Sequence, residues 1–163
     1  MGTTLFTSYY LCPLGTIEIK ANDTSVVSVL FAESVSIENP NEWTKCCILQ
    51  LEEYFAKKRT IFELPLHQDG TAFQQKIWDA LLKIPYGRTI SYKELALKTG
   101  KAGSVRAVGT ANGQNQLLLV VPCHRVIGHD GALTGYAGEL WRKKWLIDFE
   151  NGDKNGKQLD LVY

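Results

Sequence analysis

The sequence predicts a mixed α/β (α+β) fold in two parts: a small sheet-and-helix part, then a helical part that carries a helix-turn-helix. Three observations predict it. Thr16-Ile17-Glu18-Ile19-Lys20 alternates apolar and polar residues, and Val26 to Phe31 is a β-branched apolar run. A polar stretch with a glycine, His67-Gln68-Asp69-Gly70, then interrupts the chain. Beyond it, helix-start signatures follow one another at Thr71 and Gln74, at Ser91 and Glu94, and at Ser104.

Taken in order, the two apolar stretches around Asn22-Asp23 read as strands joined by a hairpin, because those two residues supply turn chemistry. Pro40 fits a first helical turn, and Ile48, Leu49, Leu51, Tyr54 and Phe55 give a packing stripe that predicts a helix to about Lys58. Residues 61–66 are expected to return to the sheet. The domains are therefore placed at 1–68 and 69–163.

In the second part, Thr71 and Gln74 form a capping box, and Phe73, Ile77, Trp78, Leu81 and Leu82 form an apolar face that ends before Pro85. Ser91 and Glu94 form a second box. It opens a short helix through Lys98, a turn over Thr99–Gly103, and a further helix capped by Ser104 and running to about Asn112. Helix, short turn, helix is the outline of a DNA-binding motif. Its second helix is rich in small residues (Ala107, Gly109, Thr110, Ala111, Gly113) and has one long cation, Arg106. Such a helix reads few base edges but can approach sugars and phosphates closely in the minor groove; the same small residues also permit tight helix packing.

Leu117 to Val121 is a run of five apolar residues, read as a buried strand that delivers the chain into Pro122-Cys123-His124-Arg125-Val126. A thiolate is the reactive form of cysteine, and imidazole or guanidinium nearby raises its fraction, so His124 and Arg125 are candidates to activate Cys123. The alternative for a lone cysteine after an apolar run is an inert core residue. Gly128, Gly131, Gly135 and Gly138 around Tyr136 suggest a loop able to bring backbone donors against a planar ligand. Glu150 ends a helix from about Glu139 with a buried face of Trp141, Trp145, Leu146 and Phe149. An acid there opposes the helix dipole, so a carboxylate orienting His124 would explain it. Adjacent side chains seldom face each other, so a water is expected to carry the proton from Cys123 to His124.

Charge supports a polyanionic partner. Residues 1–70 hold 5 basic and 9 acidic residues, net −4, whereas residues 71–163 hold 13 and 8, net +5. Lys101 lies in the turn between the two helices, inside the most basic stretch. The amino terminus has no export pattern and no run of about 18 uncharged apolar residues occurs, so an intracellular, cytoplasmic protein is expected, with no membrane contact. Cys12, Cys46, Cys47 and Cys123 are then reduced thiols. The neighbours Cys46 and Cys47 lack paired spacing with His67, His124 or His129, and no metal is expected.

Pro122-Cys123-His124-Arg125-Val126, together with Arg106-Ala107-Val108-Gly109 and Asn115, resembles the 6-O-alkylguanine-DNA alkyltransferases (methylated-DNA–protein-cysteine methyltransferases). The resemblance covers residues 71–163 and the domain order, and implies a ribonuclease-H-like first domain. It implies DNA repair by irreversible transfer of an alkyl group from 6-O-alkylguanine, and by extension 4-O-alkylthymine, to Cys123, with His124 as base through water and Glu150 supporting it. Tyr92 would donate a proton to the guanine ring and crowd the phosphate. Arg106 would fill the place of the flipped nucleotide, with Ala107 and Lys101 also at the DNA. Asn115 would bridge the recognition helix to the cysteine segment, and Val126, Tyr136 and Ala137 would line the base pocket. No cofactor is implied; the partner is double-stranded DNA containing alkylated guanine, bound in the minor groove by a monomer. Two other readings remain: a helix-turn-helix regulator, which leaves Cys123, His124 and Glu150 without a role, and a lesion-sensing relative, in which the acceptor cysteine is replaced. A cysteine hydrolase would further need an oxyanion hole and an open cleft.

Overall fold

A computed structural model describes residues 4–152. Contacts divide the chain into two compact units, with the division between Asp69 and Gly70.

The first unit is a three-stranded antiparallel sheet, β1 (Phe6–Cys12), β2 (Gly15–Ala21) and β3 (Val26–Phe31), in that spatial order, with helix α1 (Glu42–Phe55). The β2–β3 hairpin forms because Asn22 Oδ1 accepts from the backbone N–H of Thr24 at 2.9 Å and of Ser25 at 2.8 Å. Alternation buries Ile17, Ile19 and Ala21, while Cys47, Leu51 and Tyr54 are the buried apolar residues of α1. Each such side chain contributes about 1.5–3 kcal/mol on burial.

Four sequence expectations change here. β1 was not foreseen, although its Tyr9 and Tyr10 suit a strand. The helix begins after Asn41, whose side chain accepts from Trp43 and Thr44 N–H, so Pro40 precedes the helix instead of opening it. Leu49 is exposed, and the buried face is one step round the helix from the predicted stripe. Residues 61–66 form no strand: the segment meets β3 at a single parallel bridge, Val26 with Leu66. Pro65 has no N–H to give a ladder; its carbonyl accepts from Val26 N at 2.8 Å.

The second unit is built on α2 (Ala72–Leu81), α3 (Tyr92–Lys98), α4 (Val105–Gly113) and α5 (Leu140–Asn151). The Thr71–Gln74 capping box is complete, with Thr71 N to Gln74 Oε1 at 2.8 Å and Gln74 N to Thr71 Oγ1 at 3.1 Å. Trp78 Nε1 donates to Ala111 O at 3.0 Å and so fixes α2 against α4. α3 and α4 form the helix-turn-helix. Ser91 Oγ accepts from Glu94 N at 3.0 Å, which is one half of a capping box. Ser104 stands at the start of α4 but makes no side-chain cap. Leu82 lies outside the packed face and is exposed.

Two connections position the chemistry. Strand β4 (Ile90–Ser91) pairs in parallel with β5 (Val126–Ile127), Ile90 opposite Val126 and Ser91 opposite Ile127. The residue after β4 is Tyr92, and the residues before β5 are the 3-10 turn Cys123–Arg125, so one short ladder sets the phenol and the cysteine segment in register. Residues 117–121 are a buried turn and not the predicted strand. Leu119 adopts φ +69° and Val121 N donates to Leu117 O at 2.8 Å. An apolar run only signals burial, and here a side chain, Asn115, takes over the backbone pairing that a neighbouring strand would provide.

Candidate functional site

Asn115 Nδ2 donates to Val121 O at 2.9 Å and to Leu117 O at 3.4 Å, while its Oδ1 accepts from Leu117 N at 3.0 Å. The amide thus holds a closed turn whose exit is Pro122-Cys123. Cys123 is 2% exposed. Burial pushes its thiol above the usual range, opposed by a hydrogen bond from Asn115 and by the charge of Lys143. The expected activation by Arg125 is not seen. That guanidinium points the other way, donating from Nε to Glu150 Oε2 at 2.8 Å, from Nη2 to Glu150 Oε1 at 3.0 Å, and from Nη1 to Ile84 O at 2.7 Å.

His124 is wholly buried, with Nε2 2.5 Å from Glu150 Oε1. Burial raises the carboxyl of Glu150, but His124 and Arg125 outweigh that and bring it down to about 2. Glu150 is therefore ionised and accepts only, so His124 Nε2 carries the hydrogen and donates it. Nδ1 is buried and has no hydrogen-bond partner among the described residues. It makes no direct bond to the thiol.

Lys143 is a fully buried ammonium. Its Nζ donates to Thr134 O at 2.8 Å and to Tyr92 Oη at 3.2 Å, and Tyr92 Oη donates to Thr134 O at 2.9 Å. α5 supplies this cation and Glu150 from one face: its buried residues are Lys143, Leu146, Ile147 and Glu150. The predicted face was wrong in part, since Trp141 is exposed and Trp145 stacks on Phe149 at 4.9 Å. Tryptophan bulk suggested the core side, whereas the helix turns two of its charged residues, Lys143 and Glu150, inward.

Tyr92, Arg106, Gly109, Thr110, Gly113, Gln114, Thr134 and Gly135 line an open groove of about 560 Å³. A Cβ at Gly109 would lie 3.5 Å from the Tyr92 ring, an ordinary contact distance, so α4 passes close beside the phenol there. Arg106 and Ala107 are exposed on α4. Lys101 does not line the groove; its Nζ lies 5.9 Å from the Phe73 ring centroid. Val126 is buried on β5, Tyr136 is buried in the glycine-rich loop, and Ala137 is exposed beside it. The structure brings together Cys123 with Asn115, His124 with Glu150, and Tyr92 with Thr134. Sequence reasoning missed Lys143, and Arg125 as the partner of Glu150. Lys143 lies seven residues before Glu150, a helical spacing that could have signalled a shared face.

Residues 5–68 match the family model described as 6-O-methylguanine DNA methyltransferase, ribonuclease-like domain, and residues 72–152 match its DNA binding domain. The methylated-DNA–protein-cysteine methyltransferase of Methanosarcina barkeri is 41% identical over 148 residues, covering 86% of this chain and 94% of that protein. The crystal structure of Mycobacterium tuberculosis O6-methylguanine methyltransferase superposes with TM-score 0.84 at 36% identity, covering 94% of this chain and 97% of that one. Mycobacterium tuberculosis OGT in complex with DNA superposes with TM-score 0.80 at 41% identity, covering 88% and 91%.

Proposed function

The chain belongs to the 6-O-methylguanine DNA methyltransferase family and repairs alkylated DNA by transferring the alkyl group to its own cysteine, and we propose that this cysteine is Cys123, served by His124, Glu150 and Tyr92. The observation that carries the assignment is the His124 Nε2–Glu150 bond, which leaves Nδ1 as an open base on the residue next to the thiol.

Residues 1–68 form the ribonuclease-H-like domain and residues 69–163 the domain that binds DNA and accepts the alkyl group. The groove beside α4 takes the minor-groove face of a duplex, where small residues allow the backbone to approach. Ala107 and Lys101 add contacts to sugar and phosphate. Arg106 enters the stack in place of the lesion, and the extruded base reaches the sulfur. Flipping is required because Cys123 is buried.

Cys123 Sγ forms a bond to the alkyl carbon as the bond from that carbon to the guanine oxygen breaks, its electron pair passing to the base. The thiol proton goes through a water to His124 Nδ1, and the Glu150 carboxylate stabilises the resulting imidazolium. Tyr92 Oη leaves Thr134 O and gives a proton to the guanine ring, while Lys143 at 3.2 Å offsets the negative charge left on the phenol oxygen. After release, the proton on His124 returns to the phenol through solvent, so the balance closes. Asn115 keeps Cys123 in place, and Val126, Tyr136 and Ala137 frame the base.

A thioether has no easy return, so one chain repairs one lesion as a monomer and needs no cofactor. The same displacement applies to 4-O-alkylthymine. The substrate places the protein with the cell's DNA: the cytoplasm of a bacterium, the nucleus of a eukaryote. No helix among the described residues is long and apolar enough to cross a membrane. Cys123→Ala tests the assignment against a regulator or lesion sensor: duplex binding measured by fluorescence anisotropy persists while transfer of labelled methyl disappears. Transfer that survives in this variant overturns it.

A further inference from the structure

A hydrogen bond joins the first turn of α2 to the C-terminal end of α4: Gln74 Nε2 donates to Gln114 Oε1 at 2.6 Å. Its direction follows from the other end of Gln74. The backbone N–H of Thr71 can only donate, and it meets Gln74 Oε1 at 2.8 Å in the capping box. The remaining end of the Gln74 amide is therefore its NH2 group, and the atom of Gln114 that faces it must be the oxygen. Gln114 Nε2 is turned away from Gln74 with both its hydrogens, which find no partner among the described residues. Gln114 lines the open groove together with Arg106, Thr110 and Gly113. Arg106 stands in the first turn of α4 and Gln114 is its C-cap, about 12 Å away along the helix axis.

We propose that Gln114 is a further DNA-contacting residue, whose Nε2 donates to a phosphate oxygen of the duplex, and that Gln74 is a positioning residue which keeps that donor toward the groove. The inference rests on the reading of this groove as the DNA face and deepens it. The minor groove and its backbone offer mostly acceptors, so a side chain that presented its carbonyl there would set oxygen against oxygen. The place of Gln114 selects phosphate among those acceptors. A helix C-terminus carries partial negative charge and repels a phosphate, and the one cationic side chain lining the groove, Arg106, is at the opposite end of α4. A neutral donor at the C-cap offsets that repulsion and lets the backbone lie against the small residues of the helix. Such a contact fixes the register of the duplex on α4 without reading sequence, and so sets where Arg106 enters the stack.

The test measures binding of undamaged duplex by fluorescence anisotropy, over a range of salt concentrations, for the full chain, Gln114→Ala, Gln74→Glu and the double variant. Gln114 is exposed and glutamate serves a capping box as glutamine does, so the variants keep the fold, which thermal unfolding checks. Gln114→Ala is expected to weaken binding roughly fivefold, the scale of one neutral hydrogen bond. The slope against salt stays the same, because an amide neutralises no phosphate. The loss is equal on A·T-rich and G·C-rich duplexes, as a phosphate contact requires. In Gln74→Glu the carboxylate still accepts from Thr71 N–H but donates nothing, so Gln114 turns its Nε2 to the carboxylate and its oxygen to the duplex. That variant is expected to bind at least as weakly as Gln114→Ala, and the same substitution made on top of Gln114→Ala has an effect smaller by roughly threefold or more. Binding by Gln114→Ala equal to that of the full chain overturns the inference. A loss confined to A·T-rich duplex also overturns it, by moving the donor to base edges. So does an equal loss from Gln74→Glu with and without Gln114, which would be an effect of charge alone. Failure of the unmodified chain to bind duplex would instead remove the groove reading, and the inference with it.

Discussion

Glu150 holds His124 at 2.5 Å through Oε1 and Arg125 at 2.8 Å through Oε2, so one buried carboxylate orients the base and neutralises a guanidinium. Its charged form is favoured by both partners, which lowers its pKa to about 2 from the ordinary 4.5. The folded-state value is depressed, so the stabilisation is fully present above about pH 4.5 and is lost as the pH falls towards 2.

Glu150→Gln is therefore expected to lower stability at neutral pH by about 3–5 kcal/mol, because Arg125 is left buried without its counter-charge. Urea unfolding between pH 7 and pH 3 checks this. The original chain loses stability across the acid range and the variant loses less. Parallel curves would show that Glu150 is not the group being titrated.

Lys143→Met removes the buried cation whose charge favours the thiolate of Cys123. The alkylation of Cys123 by iodoacetamide is expected to shift to higher pH in the variant, because burial then acts on the thiol less opposed. The shift is read from the pH profile of labelling at that cysteine. An unmoved profile would separate Lys143 from the thiol and leave it only the role of holding Tyr92 and Thr134.

Asn115→Ala leaves the carbonyls of Leu117 and Val121 and the N–H of Leu117 without their side-chain partner. A loss of about 2–3 kcal/mol is expected from buried groups left unsatisfied. Thermal unfolding measures it. A change below about 0.5 kcal/mol would mean that the turn is held by its own backbone bonds.

Arg106 is exposed on α4 and lines the groove. Arg106→Ala is expected to slow transfer from duplex by at least roughly tenfold while sparing a single-stranded oligonucleotide, where no base has to be extruded. Equal loss on both substrates would assign Arg106 to phosphate binding alone.

Periodicity and capping made much of the frame legible: the β2–β3 hairpin, the Thr71–Gln74 box and the helix-turn-helix all follow from local chemistry. Where tertiary contacts replaced local signals, the reading failed. Leu117–Val121 has the composition of a strand, yet its partner is the side chain of Asn115, which no pattern of apolar residues reveals. The inward face of α5 carries Lys143 and Glu150 because each finds a partner from another segment, Thr134 and Tyr92 for one, His124 and Arg125 for the other. Glu150 was visible in the sequence as a charge opposed to the helix dipole. Lys143 looked like any surface lysine, and Arg125 was read toward the thiol because adjacency in sequence says nothing about direction.

Intact-protein mass spectrometry with peptide mapping, after mixing the chain with excess duplex containing 6-O-methylguanine, tests the central claim most directly. One added methyl group on the peptide containing Cys123, with no further turnover, is the predicted result. A methyl group on Cys12, Cys46 or Cys47, or tight binding to the damaged duplex with no change of mass, would contradict it.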